Sequence, residues 1–384
     1  MTSLFMRPFT VMAKPVGSTC NMQCTYCYYR NVDKQPHLMS DRVLELFIKK
    51  YINETVGQTV PFFWHGGEPT LAGLDFYQKA ITYQKIHLPK HKKAYNNIQT
   101  NCLTIDDTWC HFFKENNFDV GVSIDGSMLT HDHYRRDLYD KSTHDRIITS
   151  IELLKNHKIR IDLLCTINAF NVNYPKETYQ ALAKLNTGWI QFIPIIELDD
   201  DNSLTAESIS SDAYGLFMIE VFKQWITNDI DKIKIQTFAD IELINQKLPA
   251  TVCQTSKTCG NVLVIENDGS LYACDHYVGQ EYFLGNIVDI DFRDALNSHQ
   301  QIIFGQAKSD LADECDNCKW LKYCYGGCTK NRFINKDNLV KYHLCEGVKT
   351  MHTHIEKPFK RYLYLLAKNH DPKSIMATIK EDYY

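Results

Sequence analysis

Short runs of β-branched and aromatic residues alternate with amphipathic stretches across residues 9–196. The runs 10–15, 60–65, 97–100, 119–124, 159–167 and 189–195 read as strands. Between them, 40–54, 75–87, 106–117, 143–157 and 174–186 repeat apolar residues every three or four positions, the period of a helix. In the first of these, Val43, Leu44, Phe47, Ile48 and Tyr51 form one apolar stripe, and Ser40 stands before it as an N-cap. Strands alternating with helices at this pitch predict parallel β/α units. Six such units fall short of the eight that close a barrel, so an open, partial (β/α)6 barrel of the α/β class is expected over 1–235. A helix at 211–228 has a broad apolar face in which Trp225 reads as core.

After Pro249 the pattern changes to cysteine-rich, and a second domain is expected over 236–346. Within it Val262–Tyr272 reads as a hairpin turning at Asn267-Asp268-Gly269, which would return Cys274 to the side of Cys259. A closing helix at 347–368 and a short helix in the tail complete a C-terminal segment, 347–384, to which no chemistry is assigned. The charge runs 87–93 and 199–201 read as solvated loops.

Composition narrows the classes. A net charge of −4 over 384 residues gives no nucleic-acid footprint. No apolar run reaches membrane-span length, and the first residues lack the apolar core of a signal peptide. A cytoplasmic location, where thiols stay reduced, is therefore expected. Of the 14 cysteines, 11 fall into three tight groups, which in that setting point to metal rather than disulfides.

The first group is Cys20-x3-Cys24-x2-Cys27, directly after the first strand. Three thiolates on one loop can share an inorganic centre; either a zinc loop borrows a distant fourth ligand, or a 4Fe–4S cluster keeps one iron open. The others run Cys253-x5-Cys259-x14-Cys274 and Cys315-x2-Cys318-x5-Cys324-x3-Cys328-x16-Cys345. Eight thiolates suit two four-coordinate sites, and spacing alone does not separate zinc from iron–sulfur. Other candidates stand at strand ends, where sites of such folds gather. Gly66, Gly67 and Glu68 lie in a His65-Gly-Gly-Glu-Pro turn, in which glycines permit close backbone approach and the carboxylate could accept from an ammonium. Ser123 ends the fourth strand, Gln191 lies in the sixth, and Arg135 or Arg136 could grip a carboxylate. Cys102 reads as a small apolar filler.

The triplet with Tyr26 before its last cysteine resembles the signature of radical S-adenosylmethionine (SAM) enzymes, which have the six-unit fold. The eight later cysteines resemble the SPASM extension of that family, which holds two auxiliary 4Fe–4S clusters. Along residues 20–328, CNMQCTYCYY, WHGGEPTLAGLDFY, QTN, VGVSIDG, IQFIPI, SLYACDHYV, LGNI and CDNCKWLKYCYGGC resemble the anaerobic sulfatase-maturating enzymes. That resemblance implies three 4Fe–4S clusters and SAM as cofactors. It implies the first cluster on Cys20, Cys24 and Cys27, a second on Cys253, Cys259, Cys274 and Cys328, and a third on Cys315, Cys318, Cys324 and Cys345. It places SAM against Tyr26, Gly66, Gly67, Glu68, Ser123, Arg135 and Gln191. It implies oxidation of a cysteine or serine of a target sulfatase to Cα-formylglycine without oxygen, by way of a 5′-deoxyadenosyl radical. The partners implied are the sulfatase polypeptide and a flavodoxin- or ferredoxin-type electron donor, with no nucleic acid and no membrane. Asp275, beside Cys274, is the implied general base, and burial beside a metal centre would raise its pKa. Tyr26 and His65 are expected to line the substrate cleft. The family carries glycine where this chain has Cys102. A SPASM enzyme of another peptide, for example one forming a thioether cross-link, and a zinc-binding adaptor are the alternatives. The first often adds an N-terminal recognition domain, for which the early first strand leaves no room.

Overall fold

The computed structural model describes residues 8–29, 37–334 and 340–383; residues 1–7, which bear on a signal peptide, lie outside it. All six expected strands form: β1 (Thr10–Ala13), β2 (Thr59–Trp64), β3 (Lys93–Thr100), β4 (Phe118–Ser123), β5 (Ile161–Ile167) and β6 (Trp189–Pro194). They pair side by side in chain order and all in parallel. The intervening helices are Asp41–Glu54, Leu74–His87, Asp107–Glu115, His144–Asn156 and Pro175–Lys184. Ser40 caps the first, its hydroxyl accepting from the Val43 N–H. β3 begins four residues before its expected start at 97, because Lys93–Asn96 continue the ladder with β2 although they lack an apolar alternation.

The sheet is larger than the periodicity predicts. A two-residue β7 (Lys234–Ile235) extends it beyond β6. At the other edge, β8 (Val262–Ile265) pairs with β1 in parallel, followed by antiparallel β9 (Ser270–Tyr272) and β10 (Phe283–Asn286). The sheet thus runs β10-β9-β8-β1-β2-β3-β4-β5-β6-β7 and stays open. The cysteine-rich hairpin forms as expected, but its first strand belongs to the barrel sheet. Asp268 fixes the turn by accepting from the Ser270 N–H at 2.8 Å, and Gly269 supplies the positive φ of 88°. A separate two-stranded ribbon joins β11 (Arg332–Ile334) to β12 (Val340–Tyr342).

The helix Ser211–Asn228 forms at the expected residues. Trp225 is buried and its ring packs against Phe222, Phe238, Phe359 and Tyr362. The closing helix, Cys345–Ala367, starts two residues early, so the last cysteine opens it. It crosses Ser211–Asn228 where Gly347 meets Gly215: a Cβ at 347 would stand 1.8 Å from the Ser211 carbonyl oxygen. This contact ties Cys345 to the flank of the barrel. The tail forms Pro372–Tyr383.

Candidate active site

The chain leaves β1 at Ala13 and enters the first cysteine loop. That loop is held from both sides. Gly67 and Glu68 donate their N–H groups to the carbonyls of Gly17 and Thr19, each at 2.8 Å, and Gln23 donates to the Arg136 carbonyl at 2.9 Å. A Cβ at Gly67 would lie 2.1 Å from the Thr19 oxygen, and one at Gly66, whose φ is +120°, 2.9 Å from the Gly17 oxygen. Besides the close ligand approach expected of them, these glycines admit the backbone of the cysteine loop. The Glu68 carboxylate, 1% exposed, accepts from Thr70 N–H and Oγ1, Thr100 Oγ1 and Asn101 N–H at 2.5–3.0 Å. Those four donors lock the Gly-Gly-Glu-Pro turn to the end of β3. Asn101 in turn donates to the Asn21 side chain at 2.7 Å.

Cys20, Cys24 and Cys27 face one another electrostatically. Burial pushes the Cys20 thiol up to about 12 and the Cys24 thiol up to about 11, the latter against the pull of Arg135. Buried thiols with so little counter-charge become thiolates only beside a cationic centre, and all 14 cysteines are free of disulfides. This donor set fits a cationic metal centre.

Of the expected SAM residues, Tyr26, Arg135 and the Gly66-Gly67-Glu68 turn meet that loop. Tyr26 is buried, its hydroxyl donating to Asp125 while Arg135 Nη1 donates to it at 2.9 Å. Asp125 also accepts from Thr166 N–H and Oγ1 at 3.0 and 2.8 Å. Arg135 is 7% exposed, and its Nε is buried with no hydrogen-bond partner among the described residues, an open donor that suits a carboxylate. Arg136 instead pairs with Asp140 at the surface. Ser123 Oγ accepts from Gln99 at 2.8 Å, and Gln191 is half-buried on β6. Cys102 is fully buried in the core, as expected, at a φ of +63°; the left-handed region explains why glycine suits this position.

The hairpin on β1 carries Asp275 into this region. Its Oδ2 accepts from the Tyr28 hydroxyl at 2.6 Å. Its Oδ1 stands 2.9 Å from Nζ of Lys14, which is fully buried just past β1. That contact is an ion pair without hydrogen-bond geometry. Lys14 also lies 3.6 Å from Glu266 and 3.7 Å over the Tyr29 ring, while Tyr29 donates to both oxygens of Glu266. Burial alone would raise the Asp275 pKa, as the sequence reading expects. The Lys14 ammonium, with the Tyr28 hydroxyl, outweighs it and holds the carboxyl well below the usual carboxylate range. His65 joins this group, held neutral chiefly by burial, with Nδ1 accepting from the Gly66 N–H at 2.8 Å. Tyr28 is the tyrosine on Asp275. Lys14 and Glu266 escape a reading of spacing: each looks like an isolated polar residue, and only the pairing of β8 with β1 brings it to the site; Tyr28 and Asp125 lie in the quoted motifs, but their partners Asp275 and Tyr26 are set by tertiary packing.

The eight later cysteines separate into two sets. Cys253, Cys259, Cys274 and Cys328 interact among themselves. Cys315, Cys318, Cys324 and Cys345 line one pocket. Among the described residues, no three His, Cys, Asp or Glu side chains close to the spacing of a single-ion site.

Comparison with known proteins bears on this arrangement. The Radical SAM superfamily model matches residues 15–185, and the iron-sulfur cluster-binding domain model matches 253–319. A serine-type anaerobic sulfatase-maturating enzyme of Bacteroides thetaiotaomicron is 36% identical over 98% of this chain and 96% of its own. The chain belongs to the anaerobic sulfatase-maturating enzymes. A cysteine-type member of the family from Clostridium novyi is 32% identical over 94% of this chain and 98% of its own. A solved anaerobic sulfatase-maturating enzyme with bound AdoMet and Cp18Cys peptide superposes with a TM-score of 0.87 at 30% identity, covering 93% of this chain and 99% of that one. Streptococcus suis SuiB bound to its precursor peptide SuiA shares the fold alone, at 15% identity and a TM-score of 0.65 over 88% of this chain and 76% of that one. The fold is thus the partial α/β barrel of radical SAM enzymes with a SPASM domain, as the sequence predicts. Among the described residues, no helix is long and apolar enough to cross a membrane.

Proposed function

We propose that this chain oxidises a cysteine or serine of a target sulfatase to Cα-formylglycine without oxygen, in the cytoplasm, drawing electrons from a flavodoxin- or ferredoxin-type donor. The observation that carries the reading is Asp275, brought from the SPASM hairpin to the strand end beside the first cysteine loop and held there by Lys14 and Tyr28. Family membership with both serine- and cysteine-type relatives supports it, as does the peptide-bound structure that this chain resembles.

Cys20, Cys24 and Cys27 would hold one 4Fe–4S cluster, Cys253, Cys259, Cys274 and Cys328 a second, and Cys315, Cys318, Cys324 and Cys345 a third. When bound, SAM and the first cluster would supply the radical chemistry for hydrogen abstraction at the target Cβ, and the auxiliary clusters would supply acceptors for the electron that leaves. Around SAM, Arg135 Nε would grip the carboxylate, with Tyr26, Ser123, Gln191 and the Gly66-Gly67-Glu68 turn completing the cradle. Asp275 takes the proton of the target thiol or hydroxyl. Its Oδ2 accepts from Tyr28 and its Oδ1 is charge-paired with Lys14. Lys14 and Tyr28 keep the carboxylate oriented before the target arrives.

The test is anaerobic incubation with SAM, dithionite and matched Cys- and Ser-containing sulfatase peptides, read by mass spectrometry. Formylglycine in either peptide is expected. Deoxyadenosine release with both peptides unchanged would show that the substrate is another peptide.

A further inference from the structure

Lys308 is fully buried between the two auxiliary cysteine sets. Its Nζ donates to three main-chain carbonyls, those of Gln254 at 3.1 Å, Ser256 at 2.6 Å and Tyr325 at 3.2 Å. A neutral amine has two N–H bonds; three acceptors require the ammonium. The first two carbonyls belong to the turn after Cys253, and the third to the residue after Cys324. Lys308 therefore stitches the backbone of one ligand set to that of the other. Burial, chiefly, and the Arg332 guanidinium push the Lys308 pKa down, while the thiols of Cys259, Cys324 and Cys253, drawn from both sets, pull it up. Arg332 repeats the arrangement, donating at 2.9 Å to the carbonyls of Gly326, Asp310, Lys308 and Tyr325.

A buried cation held only by carbonyls is costly unless opposite charge stands close by. Two sets of four thiolates provide that charge. A cluster with four thiolate ligands is an anion and becomes more negative when reduced, so a fixed cation beside it favours the reduced form. We infer that Lys308 is a positioning residue that fixes a positive charge between the two auxiliary clusters and raises their readiness to accept the electron leaving the substrate. This rests on the assignment of both cysteine sets to iron–sulfur clusters.

The full chain, reconstituted anaerobically, is compared with Lys308→Met and Lys308→Gln; glutamine keeps a donor for the carbonyls without the charge. Iron per chain, cluster potentials from an EPR-monitored redox titration, and formylglycine per deoxyadenosine are measured. Both variants are expected to keep wild-type iron and an unchanged potential for the cluster on Cys20, Cys24 and Cys27. The auxiliary potentials should move to lower values, and formylglycine per deoxyadenosine should fall. Auxiliary potentials unchanged at full iron would overturn the inference. Loss of about eight irons in both variants, the content of two 4Fe–4S clusters, would also overturn it and leave Lys308 a scaffold residue. Wild-type protein holding zinc at the later cysteines would instead overturn the cluster assignment, before any variant is compared.

Discussion

Asp275 shows how much depends on one side chain and its partners. Charge from Lys14 overrides the effect of burial, so the carboxylate is ionised and oriented before the target arrives. Asp275→Asn keeps the size and cannot take up the proton as a carboxylate does. Deoxyadenosine should still form, because the first cysteine loop is untouched. Formylglycine per deoxyadenosine should fall by about 10²–10⁴-fold, the usual contribution of a general base. The ratio matters, because a misfolded variant loses both products. A wild-type ratio would move the search to Tyr28 and His65. Tyr28→Phe removes one hydrogen bond to Oδ2 and leaves Lys14 in place. Its effect on the same ratio should be smaller, and a loss as large as that of Asp275→Asn would assign the proton to Tyr28.

At the scale of elements, the turn after β2 acts on the cysteine loop rather than only on a ligand. The Gly67 backbone passes so close to Thr19 that an added Cβ would lie 2.1 Å from its carbonyl oxygen. Gly67→Ala must therefore move the loop that carries Cys20. Overpacking of this kind costs about 1–3 kcal/mol, which a protein of this size survives. The expected outcome is a lower melting temperature with loss of about four irons, one 4Fe–4S cluster, and of SAM cleavage. Full iron content with wild-type deoxyadenosine formation would show that the contact does not position the loop. Replacing Cys20, Cys24 and Cys27 together by alanine should abolish deoxyadenosine formation and leave the auxiliary iron, since those ligands begin at Cys253. Deoxyadenosine at the wild-type rate would refute the assignment of the first loop.

For the whole molecule, the parallel pairing of β8 with β1 makes the cysteine-rich segment part of the barrel sheet. The Gly215–Gly347 crossing ties Cys345 to the barrel's flank. The auxiliary sites are thereby fixed relative to Asp275 by sheet and helix packing rather than by a linker. If each cysteine set holds a 4Fe–4S cluster, the reconstituted chain should carry about 12 irons. About four irons with two zincs would keep the radical SAM assignment and reject the auxiliary clusters. Because ligand binding and folding are linked, stripping iron should destabilise residues 253–345 more than the barrel. Hydrogen exchange on apo and reconstituted protein checks this; equal protection of both parts in the apo form would contradict it.

The sequence by itself determined the six parallel strands and their helices, because each is written in a local period of two or 3.6 residues. It determined the hairpin at Asp268-Gly269, the cap at Ser40 and the grouping of the cysteines, all of which are features of short spacing. Only the tertiary structure decided what those pieces face. Periodicity says that Val262–Ile265 is a strand but not that its neighbour is β1, since strand pairing is set by packing between distant segments. That pairing brings Lys14 to Asp275 and gives the carboxyl its low pKa, against what burial alone predicts. The same non-local packing places Lys308 against thiols of both later sets and turns Gly67 toward the cysteine loop. Local spacing supplies the chemistry of this chain, and contacts across some 250 residues of sequence decide which groups meet, as between Tyr28 and Asp275.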